Sequence, residues 1–148
     1  MWKLGKNGFT MIEAIASVFI VTLVFTTAIT IILNIRNQTL ATNERIVAIE
    51  IASRIRDDLE NQTNYNDLAI WLGTSGKTVD SSSCPTSGAP FSCELFTYSA
   101  NGKTYDTLVT IDFVAPTAES QTYKVVYFSV VINYYATRTI ELTGIVYE

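Results

Sequence analysis

Polar and apolar positions follow three regimes along this chain. From Ala14 through Leu33, twenty consecutive residues carry no charge, no proline and no glycine. At ~1.5 Å per residue such a run makes a helix of roughly 30 Å, the thickness of a bilayer's hydrocarbon layer. Past Leu33 the pattern turns amphipathic with no breaker between. Ala48, Ile51, Ala52, Ile55 and Leu59 recur three and four residues apart, which marks one apolar stripe. Charges occupy the other faces, with Glu50 and Arg54, then Arg54 and Asp58, spaced to pair one turn apart. One helix is therefore predicted from Phe9 to the cluster Asn61 to Asn64, about 54 residues and roughly 80 Å. Thr22, Thr26, Thr27 and Thr30 fit its apolar half because their hydroxyls can bond back to carbonyls a turn earlier.

The third regime has a period of two. Glu94 to Tyr98 reads as a strand, Asn101-Gly102 as a two-residue hairpin turn, and Thr104 to Val114 as the partner strand ended by Pro116. Tyr123 to Tyr135 and Arg138 to Tyr147, joined at Ala136-Thr137, form a second pair rich in Val, Ile, Tyr and Thr. A sheet with one apolar face must be covered, and the amphipathic half of the long helix is the sizeable partner available. The expected class is α+β, one long N-terminal helix packed on a four-stranded antiparallel sheet. Gly73 to Ser92 reads as a loop from its Gly, Pro and Ser content, and Tyr65 to Leu72 fits either a short helix or an extended segment. The chain thus divides into a leader (1–8), the apolar half of the helix (9–35), its amphipathic half (36–64), a connecting region (65–93) and the sheet (94–148).

Composition agrees that part of the chain is built to leave water. Apolar residues make up 48% and charged residues 16%, and mean hydropathy is +0.24. The formal charge is −4 with no basic cluster beyond the N-terminus, so nothing favours direct contact with nucleic acid. Histidine is absent, which removes the commonest general base and metal ligand. No nucleophile has such a partner and no carboxylate pair sits in a recognisable motif; Asp57 and Asp58 are helix neighbours that point apart. No enzyme activity, cofactor or metal site is expected. Cys84 and Cys93 make a poor zinc signature and a reasonable small disulfide loop, which would place the C-terminal part outside the reducing cytoplasm; two unpaired thiols are the alternative.

A carboxylate, Glu13, stands near the start of the apolar run, where a charge at mid-membrane costs about 2.5 to 3.5 kcal/mol on insertion scales. Ahead of it lies a short leader with Lys3 and Lys6, which suits a cytoplasmic start. The string Gly8-Phe9-Thr10-Met11-Ile12-Glu13, followed by a spanning run, resembles the class III signal of type IV pilins and type II secretion pseudopilins. The resemblance covers the first 30 or so residues; the rest matches in layout. It implies that a prepilin peptidase cuts between Gly8 and Phe9 and methylates the new amine of Phe9. Glycine suits such a site by letting a protease approach the backbone. Loss of Lys3 and Lys6 leaves 8 basic against 14 acidic side chains, a net of −6. Glu13 and the freed Phe9 amine of an adjacent subunit would then offset each other's burial in a stack of parallel helices, and the resemblance implies the same contact. The alternative is a Glu13 wetted at the headgroups and idle.

The resemblance also implies partners and a place: other pilin subunits, major and minor, the prepilin peptidase and the assembly platform. The chain would be a single-pass precursor of the inner (cytoplasmic) membrane with its C-terminal domain outside, and then part of a cell-surface filament used for motility, adhesion, DNA uptake or secretion. Many major pilins carry a proline in the second half of the span and a C-terminal disulfide loop. Here Thr30 stands without a nearby proline and the cysteines precede the sheet, which tilts the reading toward a minor pilin or pseudopilin, in an initiating or tip complex. The segment Arg45 to Arg56 resembles the small-residue and arginine pattern of such components. A major pilin is one alternative. Another is a tip-located binding module in which Trp71, Phe91 and Tyr98 make contacts, although aromatic residues at such spacing more often belong to a core. A membrane-anchored enzyme has the least support.

Overall fold

The computed structural model describes residues 10–100, 102–104, 108–135 and 137–148. The chain separates into two compact units, the helical stretch through Leu40 and the unit Ala41–Glu148. A single helix, α1 (Met11–Gln62), contributes to both. It lacks proline and glycine throughout, so its backbone ladder has no forced break. Up to Leu40 its large apolar side chains are exposed, and it contains a stretch long and apolar enough to cross a membrane, with a mean hydropathy of 2.5.

Within the second unit α1 buries Val47, Ala48, Ile51, Ala52, Ile55 and Leu59, the stripe expected from its periodicity together with Val47. Ala48 and Ala52 are fully buried in the core that helix and sheet share. That sheet has four antiparallel strands in the order β1-β4-β5-β6: β1 (Lys77–Asp80), β4 (Val109–Phe113), β5 (Val125–Tyr134) and β6 (Arg138–Tyr147). Strand alternation aims Val79, Ile111, Phe113, Val126, Phe128, Val130, Ile132 and Val146 into the core shared with α1. The register pairs Ile111 with Val130 and Val130 with Leu142, so the apolar sets of adjacent strands lie on one face.

The four-stranded, helix-covered sheet matches the expected class, but its membership differs. Residues 94 to 98 are not a strand. Cys93–Thr97 forms a 3-10 turn, capped by the Ser92 side chain, and it buries the adjacent Leu95 and Phe96, which a strand would send to opposite faces. The fourth strand, β1, comes from the segment read as loop. Val79 enters the core there, and the Thr78 hydroxyl donates to Asp112 Oδ1 of β4 at 2.6 Å. Gly76 permits this approach, since a Cβ on it would lie 2.7 Å from the Phe113 carbonyl oxygen. Gly102, at φ 74°, stands beside a ribbon of only two residues a side, β2 (Ser99–Ala100) and β3 (Lys103–Thr104). Asn101, and Ala136 of the second expected turn, lie outside the described residues.

Short helices fill the connections. Tyr65–Leu72, left open above, is the helix α2, with Asn64 accepting from the Asp67 N–H at 2.9 Å. Cys84–Ser87 forms a single turn, α3. Ala118–Tyr123 forms α4, opened by a reciprocal cap between Thr117 and Ser120. At the sheet edge the Glu60 carboxylate of α1 accepts the outward N–H of Ile145 in β6, at 3.2 Å.

Gly144 of β6 gives this packing a sharp test. A Cβ there would lie 2.4 Å from Phe128 Cζ and 2.8 Å from Arg56 Cγ, where helix and strand meet. Gly144→Ala is expected to lower stability by about 1 to 3 kcal/mol through overpacking, read from a denaturant midpoint. Thr63 is the contrast, because its buried hydroxyl has no hydrogen-bond partner among the described residues. Thr63→Val is expected to leave the midpoint unchanged or raise it.

Candidate functional site

The start of α1 gathers polar chemistry at the mouth of an apolar helix. The Thr10 N–H and hydroxyl both donate to Glu13 Oε2, at 3.1 and 3.0 Å. The Glu13 N–H donates in return to Thr10 Oγ1 at 3.4 Å, and the Ala14 N–H reaches the Thr10 carbonyl at 3.2 Å. This is a capping box: the first turn of a helix has N–H groups without partners, and the threonine and glutamate satisfy two of them reciprocally. The carboxylate also carries negative charge to the positive end of the helix dipole.

Glu13 thus has a partner within its own chain, Thr10. The Thr-x-x-Glu spacing ahead of an apolar run was visible in the sequence, and reading Glu13 only as a membrane charge passes over Thr10 as its partner. Gly8 and Phe9, expected as the cleavage junction and the methylated residue, lie outside the described residues.

Further along the apolar stretch every hydroxyl turns inward. Thr22 donates to the Phe19 carbonyl at 2.9 Å, Thr26 to Leu23 at 2.9 Å, Thr27 to Val24 at 2.8 Å and Thr30 to Thr26 at 2.9 Å. A shallow depression lined by Thr26, Thr27, Thr30 and Ile31 therefore offers no unengaged hydroxyl proton to a ligand.

In the second unit the polar chemistry is architectural. Cys84 and Cys93 are joined in a disulfide with Cα atoms 5.8 Å apart. Around the bridge Trp71 packs edge-on to Phe91 and Phe113, with centroids 6.0 and 5.5 Å away, and donates from Nε1 to the Ser87 carbonyl at 2.8 Å. The Lys77 ammonium lies 4.3 Å from the centroid of the same indole. Tyr98 donates its hydroxyl to Asp58, a bond that raises the phenol's pKa. Trp71, Phe91 and Tyr98, weighed above as contact residues, are partly buried and pack against the core. Among the described residues no group of three or more Cys, Asp and Glu side chains converges as metal ligands would.

Compared with protein-family models, with curated proteins and with solved structures, the chain finds no match.

The two caps make separate expectations. Thr10→Ala should fray the first turn of α1 by about 1 kcal/mol, seen as faster amide exchange at Met11 to Glu13 in micelles, whereas Glu13→Gln keeps an acceptor oxygen and most of the protection. Asp80 closes the turn before α3, accepting from the Ser82 and Ser83 N–H groups and both hydroxyls at 2.7 to 2.9 Å. Those bonds, led by the Ser82 hydroxyl, hold its pKa down to about 2 from an ordinary 3.8. A depressed acid stabilises the fold above its unfolded value and loses that contribution as protons return. The turn should therefore be intact above about pH 4 and released between about pH 4 and pH 2, followed through the Ser82 and Ser83 amide signals. Asp80→Asn should remove that titration.

Proposed function

We propose that this chain is a structural subunit of a membrane-anchored filament of the type IV pilin class, a minor pilin or pseudopilin processed after Gly8. The observation that carries the reading is the string Gly8 to Glu13 set at the mouth of an exposed apolar helix, which continues without a break into the helix that covers the sheet. An anchor needs only the apolar run. A filament subunit needs in addition a folded domain joined to that run, and α1 contributes residues to both. The disulfide of the second unit fits a domain held on the oxidising side of the membrane.

In this reading the capping box sets the state of Glu13 before assembly. While the leader is attached, Phe9 has no free amine and Glu13 serves its own helix. Cleavage creates a cation, and in an array of parallel subunits the Phe9 amine of one chain shares the Glu13 carboxylate of the next. Two buried charges then compensate each other in a low-dielectric layer, and the match of depth fixes the axial register of the neighbours. The partners are other pilin subunits, the prepilin peptidase and the assembly platform.

Co-expression with a prepilin peptidase should yield a chain lighter by residues 1–8 with one methyl group added, read by mass spectrometry. Gly8→Leu should block the cut. Persistence of the full-length mass beside an active peptidase, or cleavage of the Gly8→Leu chain, sinks the reading. Glu13→Gln and Glu13→Ala should both be cut and inserted yet fail to assemble, because the charge rather than the cap is what a neighbour needs. Normal assembly of Glu13→Gln would leave Glu13 as a helix cap alone.

A further inference from the structure

The four-stranded sheet turns one face to the core it shares with α1, and on the other face no residue at an outward position of the strands is buried. The charged residues of the strands are sorted between the two faces. Asp80, Asp112 and Glu141 stand at outward positions, opposite Thr110, Ser129 and Val131, whereas Lys77 and Arg138 stand opposite the buried Phe113 and Tyr134. The outward positions therefore hold carboxylates and no cation. Asp112 uses Oδ1 on the Thr78 hydroxyl and Asp80 closes its own turn, while Glu141 makes no hydrogen bond or ion pair among the described residues.

An apolar rung adjoins these carboxylates. Val114 continues β4 by donating its N–H to the Tyr127 carbonyl at 3.0 Å, Tyr127 pairs with Ile145 across β5 and β6, and Tyr147 stands one rung further. All four residues are between 40% and 68% exposed. A sheet face that meets only water alternates to polar side chains, so large apolar groups in one rung fit a contact surface. The charge names the occupant. Anionic lipid and nucleic acid are repelled, and a neutral sugar chain can stack on the rings but leaves the carboxylate charge uncompensated. A segment with basic side chains serves both parts of the face, because an ammonium or guanidinium pairs with a carboxylate and is also attracted to a tyrosine ring.

We infer that the outward face of the sheet docks a basic peptide segment of another protein. Rungs on one face recur about every 6.7 Å along the strands, and an extended peptide shows one face at the same step, every second residue. Such a peptide lying along β5 meets the Tyr127 rung first, then the rung of Asp112, then that of Glu141, with the two carboxylates on the strands to either side. The segment that fits reads apolar, basic, basic at alternate positions. The inference stands on the second unit alone and uses nothing of the filament reading.

The test uses the full chain in uncharged detergent micelles and a fluorescent peptide in which a leucine and then lysines alternate with serines, followed by anisotropy. Binding should saturate and be lost at about 1 M salt. Asp112→Asn with Glu141→Gln should weaken it about fivefold and Tyr127→Ser about threefold, while Glu94→Gln, an exposed carboxylate outside the sheet, leaves it unchanged. Acetylating the lysines should cost at least about fivefold. Asp112→Lys with Glu141→Lys should reverse the preference, toward the same peptide with glutamates in place of lysines, a gain that misfolding cannot mimic. Absence of saturable binding, an equal loss on Glu94→Gln, undiminished binding of the acetylated peptide, no reversal by the lysine pair, or tighter binding of a neutral oligosaccharide each overturns the inference. Cleavage after Gly8 is scored separately, so either reading can fail while the other stands.

Discussion

Every hydroxyl in the apolar stretch of α1 finds its partner inside the helix, a condition that any segment able to cross a membrane has to meet. A backbone N–H or carbonyl left open in hydrocarbon costs several kcal/mol, so a spanning segment must be helical and its opening turn must be closed by something other than water. Thr10 and Glu13 close that turn, and the threonine hydroxyls return their protons to carbonyls one turn back. A stretch so self-sufficient asks nothing specific of its surroundings, which leaves its outer surface available to lipid or to other helices.

The same helix obeys a different rule after Leu40. There its stability comes from an apolar stripe buried against the sheet, and a strand glycine, Gly144, admits the Phe128 ring and the Arg56 stem. The disulfide and the Trp71 cluster then pin the connection that follows β1, where the regular elements are short. Each device compensates for a weakness in local sequence preference.

Much of this was legible in the residue pattern, for identifiable reasons. The long helix and the strands β4, β5 and β6 follow from sustained periodicity, which averages over many residues and tolerates local noise. What stayed hidden depends on partners remote in sequence. β1 has four residues amid glycine and serine and becomes a strand because β4 offers it an edge. Residues 94 to 98 read as a strand because Leu95 and Phe96 are apolar, yet a disulfide at Cys93 and a serine cap bend the chain so that both are buried. Helix α4 escaped notice because its box closes with Ser120 in place of the usual acid. At the N-terminus the carboxylate stood out through its cost in lipid, while its hydroxyl partner three residues earlier passed as one more threonine.

The bond from the Ile145 N–H to Glu60 has a bearing on how copies of this chain can aggregate. An edge strand ten residues long is a template on which a foreign strand can add, the usual route to uncontrolled sheet growth. Here an incoming strand that claimed the Ile145 N–H would have to evict a carboxylate and leave that charge without its donor. The edge is guarded where Glu60 of the helix meets Ile145, and unchecked strand exchange is penalised there.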